Sequence, residues 1–157
     1  MPMPLHHHHL LHVGTAVAMA CSLLTSAASA QSNRQSCTIM VLEDGTMAPG
    51  PASRTLSSKN QFGREAHIVI RATNSRYELF VDKPLGFVQS PAGGNNNTRF
   101  DVTYFGRGRS EFSEKDAGIP TRIKRGETDV YVDFSAEKLN GAFPGGQYRA
   151  GVTVRCE

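Results

Sequence analysis

Between residues 37 and 156 the chain repeatedly alternates apolar and polar positions with a period of two, the mark of strands that bury one face. Tyr148, Ala150, Val152, Val154 and Cys156 share one side of the last run, with Gln147, Arg149, Gly151, Thr153 and Arg155 between them. Cys37, Ile39 and Val41 do the same at the start, and Phe100, Val102 and Tyr104, then Val130, Val132 and Phe134, repeat the pattern. The run Ala66 to Ala72 holds the strongly β-branched stretch His67-Ile68-Val69-Ile70, and Tyr77, Leu79 and Val81 alternate within Arg76 to Asp82. These last two runs, joined by Thr73-Asn74-Ser75, predict a hairpin. Arg54 to Ser58 predicts a short edge strand.

Breakers separate the runs. Pro49-Gly50-Pro51 makes Met47 to Ala52 a loop, because no helix or central strand accepts that sequence. Residues 90–97 concentrate Pro, Gly and Asn, and residues 106–120 are expected to be irregular, with a short helical turn near Ser113 to Ala117. Ser135 to Gly141 has helix-compatible residues but room for only a turn or two. The chain shows neither an internal repeat nor a heptad. About seven short strands punctuated in this way predict an all-β fold, an antiparallel β-sandwich of the immunoglobulin-like kind, with a barrel as the alternative.

The first thirty residues follow different rules. Thr15 to Thr25 is small and apolar, and Ala28-Ser29-Ala30 is a small-residue cleavage site, so residues 1–30 read as a signal peptide and residues 31–157 as a single domain. The apolar run is too short and too interrupted to span a bilayer. Export predicts a periplasmic, secreted or cell-surface location. Cys21 then leaves with the leader, and the two remaining cysteines, Cys37 and Cys156, read as one disulfide between the first and last strands. Two buried free thiols are the alternative. His6 to His9 and His12 also leave with the leader, which removes the chain's histidine tract from the list of metal sites.

Charge and site chemistry exclude more than they assign. The formal net charge of +3 is carried entirely by residues 31–157 and is far from a nucleic-acid signature. His67 is the one histidine beyond the leader and lies within a strand, with neither an acid partner nor a nucleophile declared by its strand neighbours, so catalysis is not expected. One histidine and two paired cysteines do not make a zinc site, and Glu111, Glu114 and Asp116 resemble a calcium loop only loosely, so no cofactor is expected. Gly106-Arg107-Gly108-Arg109 lacks the Lys-Ser/Thr ending and the helix of a phosphate loop. Asn96-Asn97-Thr98 matches a glycosylation sequon. Arg107, Arg109, Arg122, Lys124 and Arg125 form a candidate anion-contact patch suited to an acidic glycan or another acidic partner at the cell surface.

Three features together resemble the exported domains of bacterial surface proteins, in particular the spore coat protein U-like and fimbrial-subunit-like group. They are Cys37 in a strand just after the leader, the alternating middle strands, and the ending Phe143-Pro144-Gly145-Gly146-Gln147-Tyr148-Arg149-Ala150-Gly151-Val152-Thr153-Val154. That ending is similar to the G-x-Y-x-x-x-V-x-V closing strand of the group. The resemblance implies assembly into surface fibres by a chaperone and an usher, with an N-terminal extension donated to a neighbour's sheet. Gln31 to Ser36 departs from this, being short and wholly polar. The expected protein is therefore a non-enzymatic structural or adhesion domain, completed by its own last strand. The alternative is a small secreted ligand-binding or inhibitor-like module that uses the loops at residues 90–97 and 106–120.

Overall fold

The computed structural model describes residues 35–157. The signal segment, its histidines, Cys21 and the start at Gln31 lie outside the described residues. Ten strands follow in order: β1 (Cys37–Glu43), β2 (Ala48–Pro49), β3 (Thr55–Ser57), β4 (Ala66–Ala72), β5 (Glu78–Asp82), β6 (Thr98–Gly108), β7 (Phe112–Asp116), β8 (Thr121–Arg122), β9 (Gly126–Lys138) and β10 (Thr153–Cys156). Every pairing between them is antiparallel.

The 13-residue strand β9 is the spine of the larger sheet. One of its edges carries β6 from Thr98 opposite Lys138 to Gly108 opposite Thr128. The other carries β4 first, against residues 126–132, and then β3, against residues 135–137. β1 pairs outside β4, β2 outside β3 and β7 outside β6. Where β4 stops and β3 has yet to begin, Ser58 bridges the gap. Its N–H donates to the Phe134 carbonyl at 3.0 Å, its hydroxyl accepts the Phe134 N–H at 3.0 Å, and that hydroxyl donates to Asp133 at 2.7 Å. One side chain thus replaces a missing rung and satisfies a buried carboxylate.

The smaller sheet is β10-β5-β8. Inward side chains of both sheets meet in one core, where Ile70, Leu79, Tyr104, Ile123 and Val130 are completely buried. Tyr104 shows how the sheets are joined. Its hydroxyl donates to the Ile119 carbonyl and lies 2.8 Å from the Thr121 hydroxyl, so a strand of the larger sheet holds the segment that enters β8. Burying the phenol raises its pKa, and the Thr121 hydrogen bond opposes that rise. At the other end, Phe87, Phe100, Phe134, Phe143 and Tyr148 contact one another edge-on or tilted, with centroids 4.9–6.1 Å apart.

The all-β, antiparallel architecture and the link between the first and last strands agree with the sequence. Cys37 and Cys156 form a disulfide across 119 positions, with Cα atoms 6.1 Å apart. Several local expectations change. The expected loop at Met47 to Ala52 contains strand β2 and a 3-10 turn at Pro51–Ser53, since Pro49 sits on an outer strand that needs no N–H from it, and β3, expected at an edge, lies between β2 and β9. The runs at β4 and β5 do not form a hairpin, because the Thr73 to Ser75 turn carries the chain from one sheet to the other. Residues 113–116 belong to strand β7, where the edge of β6 overrides their helical propensity. Residues 135–138 extend β9, because β3 and β6 hold them on both sides. In the last run only Thr153–Cys156 is regular strand, with a single bridge between Arg149 and Gln89 before it.

Candidate binding groove

The two chain ends are linked at Cys37 and Cys156, yet β1 and β10 do not pair with each other. β1 pairs only with β4, and β10 only with β5. Between the remaining edges lies a groove of about 1030 Å³. Its floor is the inward face of the larger sheet, including Ile39, Val41, Ile68 and Val132, and its wall is the segment 143–154, including Val152 and Val154. These are the same positions that the period-two pattern marks as inward. Among the described residues nothing packs against all of them, and Val41 keeps 64% of its surface exposed.

The wall is held away from β1 by specific contacts. The Phe143 N–H donates to the Ser53 carbonyl at 2.8 Å, and the Tyr148 hydroxyl closes the turn by donating to the Pro144 carbonyl at 2.6 Å. The Tyr148 ring lies on Phe87 and Phe143, and partial burial raises its pKa. Arg149 exchanges backbone hydrogen bonds with Gln89 and accepts one from the N–H of Val88. Gly146, at φ +146°, runs so close to Pro91 that a Cβ would stand 2.5 Å from its ring. Apart from the Tyr148–Pro144 bond inside the wall, these bonds tie the wall to the 51–53 turn or to the segment 87–91. None of them ties it to β1.

The groove has the parts needed to receive a strand. Two backbone edges without a strand partner among the described residues flank an apolar floor, and β1, at seven residues, runs ~23 Å, enough to template a strand of ordinary length. Covering Val41 alone would contribute roughly 1–2 kcal/mol at the usual worth of a buried valine. Asp44, Arg64 and Arg149 lie along the rim.

The other residues singled out in the sequence are distributed as follows. Arg122 ends strand β8, Arg109, Lys124 and Arg125 lie in the adjoining loops, and hydrogen bonds tie these segments together at one end. Arg107 is separate: its guanidinium lies over the Phe105 and Tyr131 rings on the outer face of the larger sheet. His67 stacks on Tyr131 at 4.6 Å, and its Nε2 lies 2.8 Å from an Asp129 carboxylate oxygen, an acid partner that its own strand does not reveal. Among the three loop acids, Glu114 bonds the Lys59 ammonium. Burial acts to lower the Lys59 pKa, but Glu114 and Asp133 outweigh it and raise the pKa above its ordinary value. The loop at 90–97 is anchored rather than loose, with the buried Lys138 ammonium donating to the carbonyls of Gly93 and Asn96 at 2.6 Å each. Residues 106–116 are mainly strand. Among the described residues no helix is long and apolar enough to cross a membrane.

The groove had one trace in the sequence, an apolar stripe that continues along both terminal strands. Its openness had none. Comparison with family models, with curated proteins and with solved structures returns no match.

Proposed function

We propose that this protein is an exported, non-enzymatic structural or adhesion subunit with an immunoglobulin-like β-sandwich, whose open groove receives a strand from another chain. The carrying observation is the groove itself, apolar at its floor and bounded by the unpaired edges of β1 and β10. The order of the strands supports the fold assignment. With β7, the outer partner of β6, and the two- and three-residue strands set aside, β1-β4-β9-β6 takes the first, second, fifth and fourth of the six remaining strands, and β5-β10 takes the third and sixth, as in the ABED and CF portions of an immunoglobulin domain. The seventh strand of that plan would lie beside β10. That position is the groove.

The last strand therefore does not complete the domain. It contributes one rim and leaves the next place vacant for strand addition, in which backbone hydrogen bonds give affinity and alternate side chains give selectivity. The polar Gln31 to Ser36 is a poor donor, which favours a strand supplied by a different protein over a copy of this one.

The test is a thermal melt with a synthetic extended peptide of alternating Val and Thr, beside a control interrupted by proline. The alternating peptide should stabilise the protein by about 2.7 kcal/mol at a hundredfold excess over its dissociation constant. The double variant Val41→Asp/Val152→Asp should abolish that gain. No stabilisation, or an equal gain in the variant or with the control, would refute strand addition.

A further inference from the structure

Away from the groove, the basic side chains divide into those that meet a carboxylate and those that do not. Among the described residues, Lys59, Arg64, Arg71, Lys83, Arg99 and Arg155 each have a carboxylate oxygen within 4 Å. Arg54, Arg76, Arg107, Lys115, Lys138 and Arg149 have none, and neither do Arg109, Arg122, Lys124 and Arg125, which differ in being drawn together by one set of hydrogen bonds. Glu127, which is close in sequence, is engaged by Arg71 at 2.7 Å, and Glu78 faces Arg122 in the ladder without reaching it.

These four residues are also held in place. The Arg122 Nε donates to the Ser75 carbonyl at 3.2 Å, and the Ser75 hydroxyl accepts the Arg125 N–H at 3.0 Å. The Arg125 carbonyl in turn accepts from the Arg109 Nε at 3.4 Å. A single chain of bonds thus runs from one guanidinium to the other through Ser75 and Arg125. Lys124 is tied to the same loops, its N–H donating to the Ser110 hydroxyl at 2.8 Å.

Gly126 makes the arrangement possible. At φ +118° it lies beneath the Arg109 side chain, and a Cβ there would stand 2.6 Å from Arg109 Cγ. Each arginine spends its Nε on a carbonyl, which orients the planar group and leaves its Nη pair available. That is the fork used for bidentate binding of an oxyanion.

We propose that this end of the molecule binds a glycan carrying sulfate or phosphate esters, with Arg109 and Arg122 each gripping an ester oxyanion and Lys124 and Arg125 adding charge. Fixed forks suit discrete oxyanions spaced along a chain better than a diffuse charged surface. A sugar polymer is the form of that chemistry that an exported domain meets, so the choice of polymer depends on the export reading and not on the groove.

The purified protein should be measured by calorimetry against heparin, with duplex DNA and phosphatidylglycerol vesicles in parallel. Arg109→Gln/Arg122→Gln should weaken heparin binding at least about tenfold, the scale of one lost charge-assisted hydrogen bond. Arg71→Gln/Arg99→Gln, which removes two paired arginines, should change it less than twofold. Arg122→Lys should also weaken binding, because it keeps the charge and loses the fork. If the double variant misfolds, Arg125→Gln, whose side chain makes no hydrogen bond in the structure, provides the same comparison. Equal losses in the paired and unpaired variants, or no loss in either, would overturn the site. Binding of DNA or vesicles as tight as heparin, with the same dependence on Arg109 and Arg122, would overturn its assignment to a glycan.

Discussion

The two halves of the core carry the same alternation and reach different ends. Ile70, Leu79, Tyr104, Ile123 and Val130 belong to one core cluster, and all five are fully buried. Around Ile39, Val41, Val132, Val152 and Val154, the inward side chains border an open groove. Period two states which face of a strand is apolar. Whether a second layer covers that face depends on the path of the chain, and period two does not record that path.

If the halves differ in this way, separating their supports should show it, most strongly at the disulfide. Cys37→Ser/Cys156→Ser should cost up to about 4.7 kcal/mol by loop-closure entropy, measured as the shift of a urea unfolding curve. Amide exchange should then speed up first in residues 37–43 and 153–156, the two rims, while β4 and β9 stay protected. Uniform acceleration would mean that the halves are not separable.

A pair of truncations gives the next largest contrast. Leu79→Ala, in the closed half, should destabilise by about 2–5 kcal/mol, as buried Leu→Ala changes do. Val41→Ser, in the open half, should stay within about 0.5 kcal/mol and still impair strand binding. Equal costs would indicate that the groove is packed in solution.

The smallest effect is alkaline. Because Tyr104 has a pKa raised above 10.0 by burial, its contribution is complete below pH 10.0 and is lost as pH climbs through the raised folded value. Stability should therefore fall as pH rises above 10.0, with a limiting slope of ~1.4 kcal/mol per pH unit, and less steeply in Tyr104→Phe. An identical pH dependence in both proteins would remove Tyr104 from the account.

Much of this fold is legible in the residues, because alternation and cysteine position are local or count-based signals. Strand positions, inward faces and the Cys37–Cys156 link all follow from them. The allotment of strands to sheets does not. Thr73-Asn74-Ser75 suits a tight return or a crossover equally, and only the core pairing of β4 with β9 decides between them. Ser113 to Asp116 and Ala136 to Lys138 favour helix in isolation and become strand because neighbouring edges bind them. At the candidate site the apolar stripes were visible and the groove was not, since it depends on β10 choosing β5 over β1. By sequence Asp129 reads only as a solubilising residue on the polar face of its strand, because its approach to His67 follows from register across two strands. Arg107 fell within the basic run by sequence, yet the alternation of β6 sends its side chain to the outer face of the sheet.

The disulfide has one further consequence, which is mechanical. A pull applied outside Cys37 and Cys156 enters at β1 and leaves at β10, and between those points the shortest load path is a single covalent bond. The intervening length, ~400 Å if drawn out fully, is shielded from that tension, so neither sheet need resist it. Whatever is attached at the two ends, the domain would behave in series as an almost inextensible link.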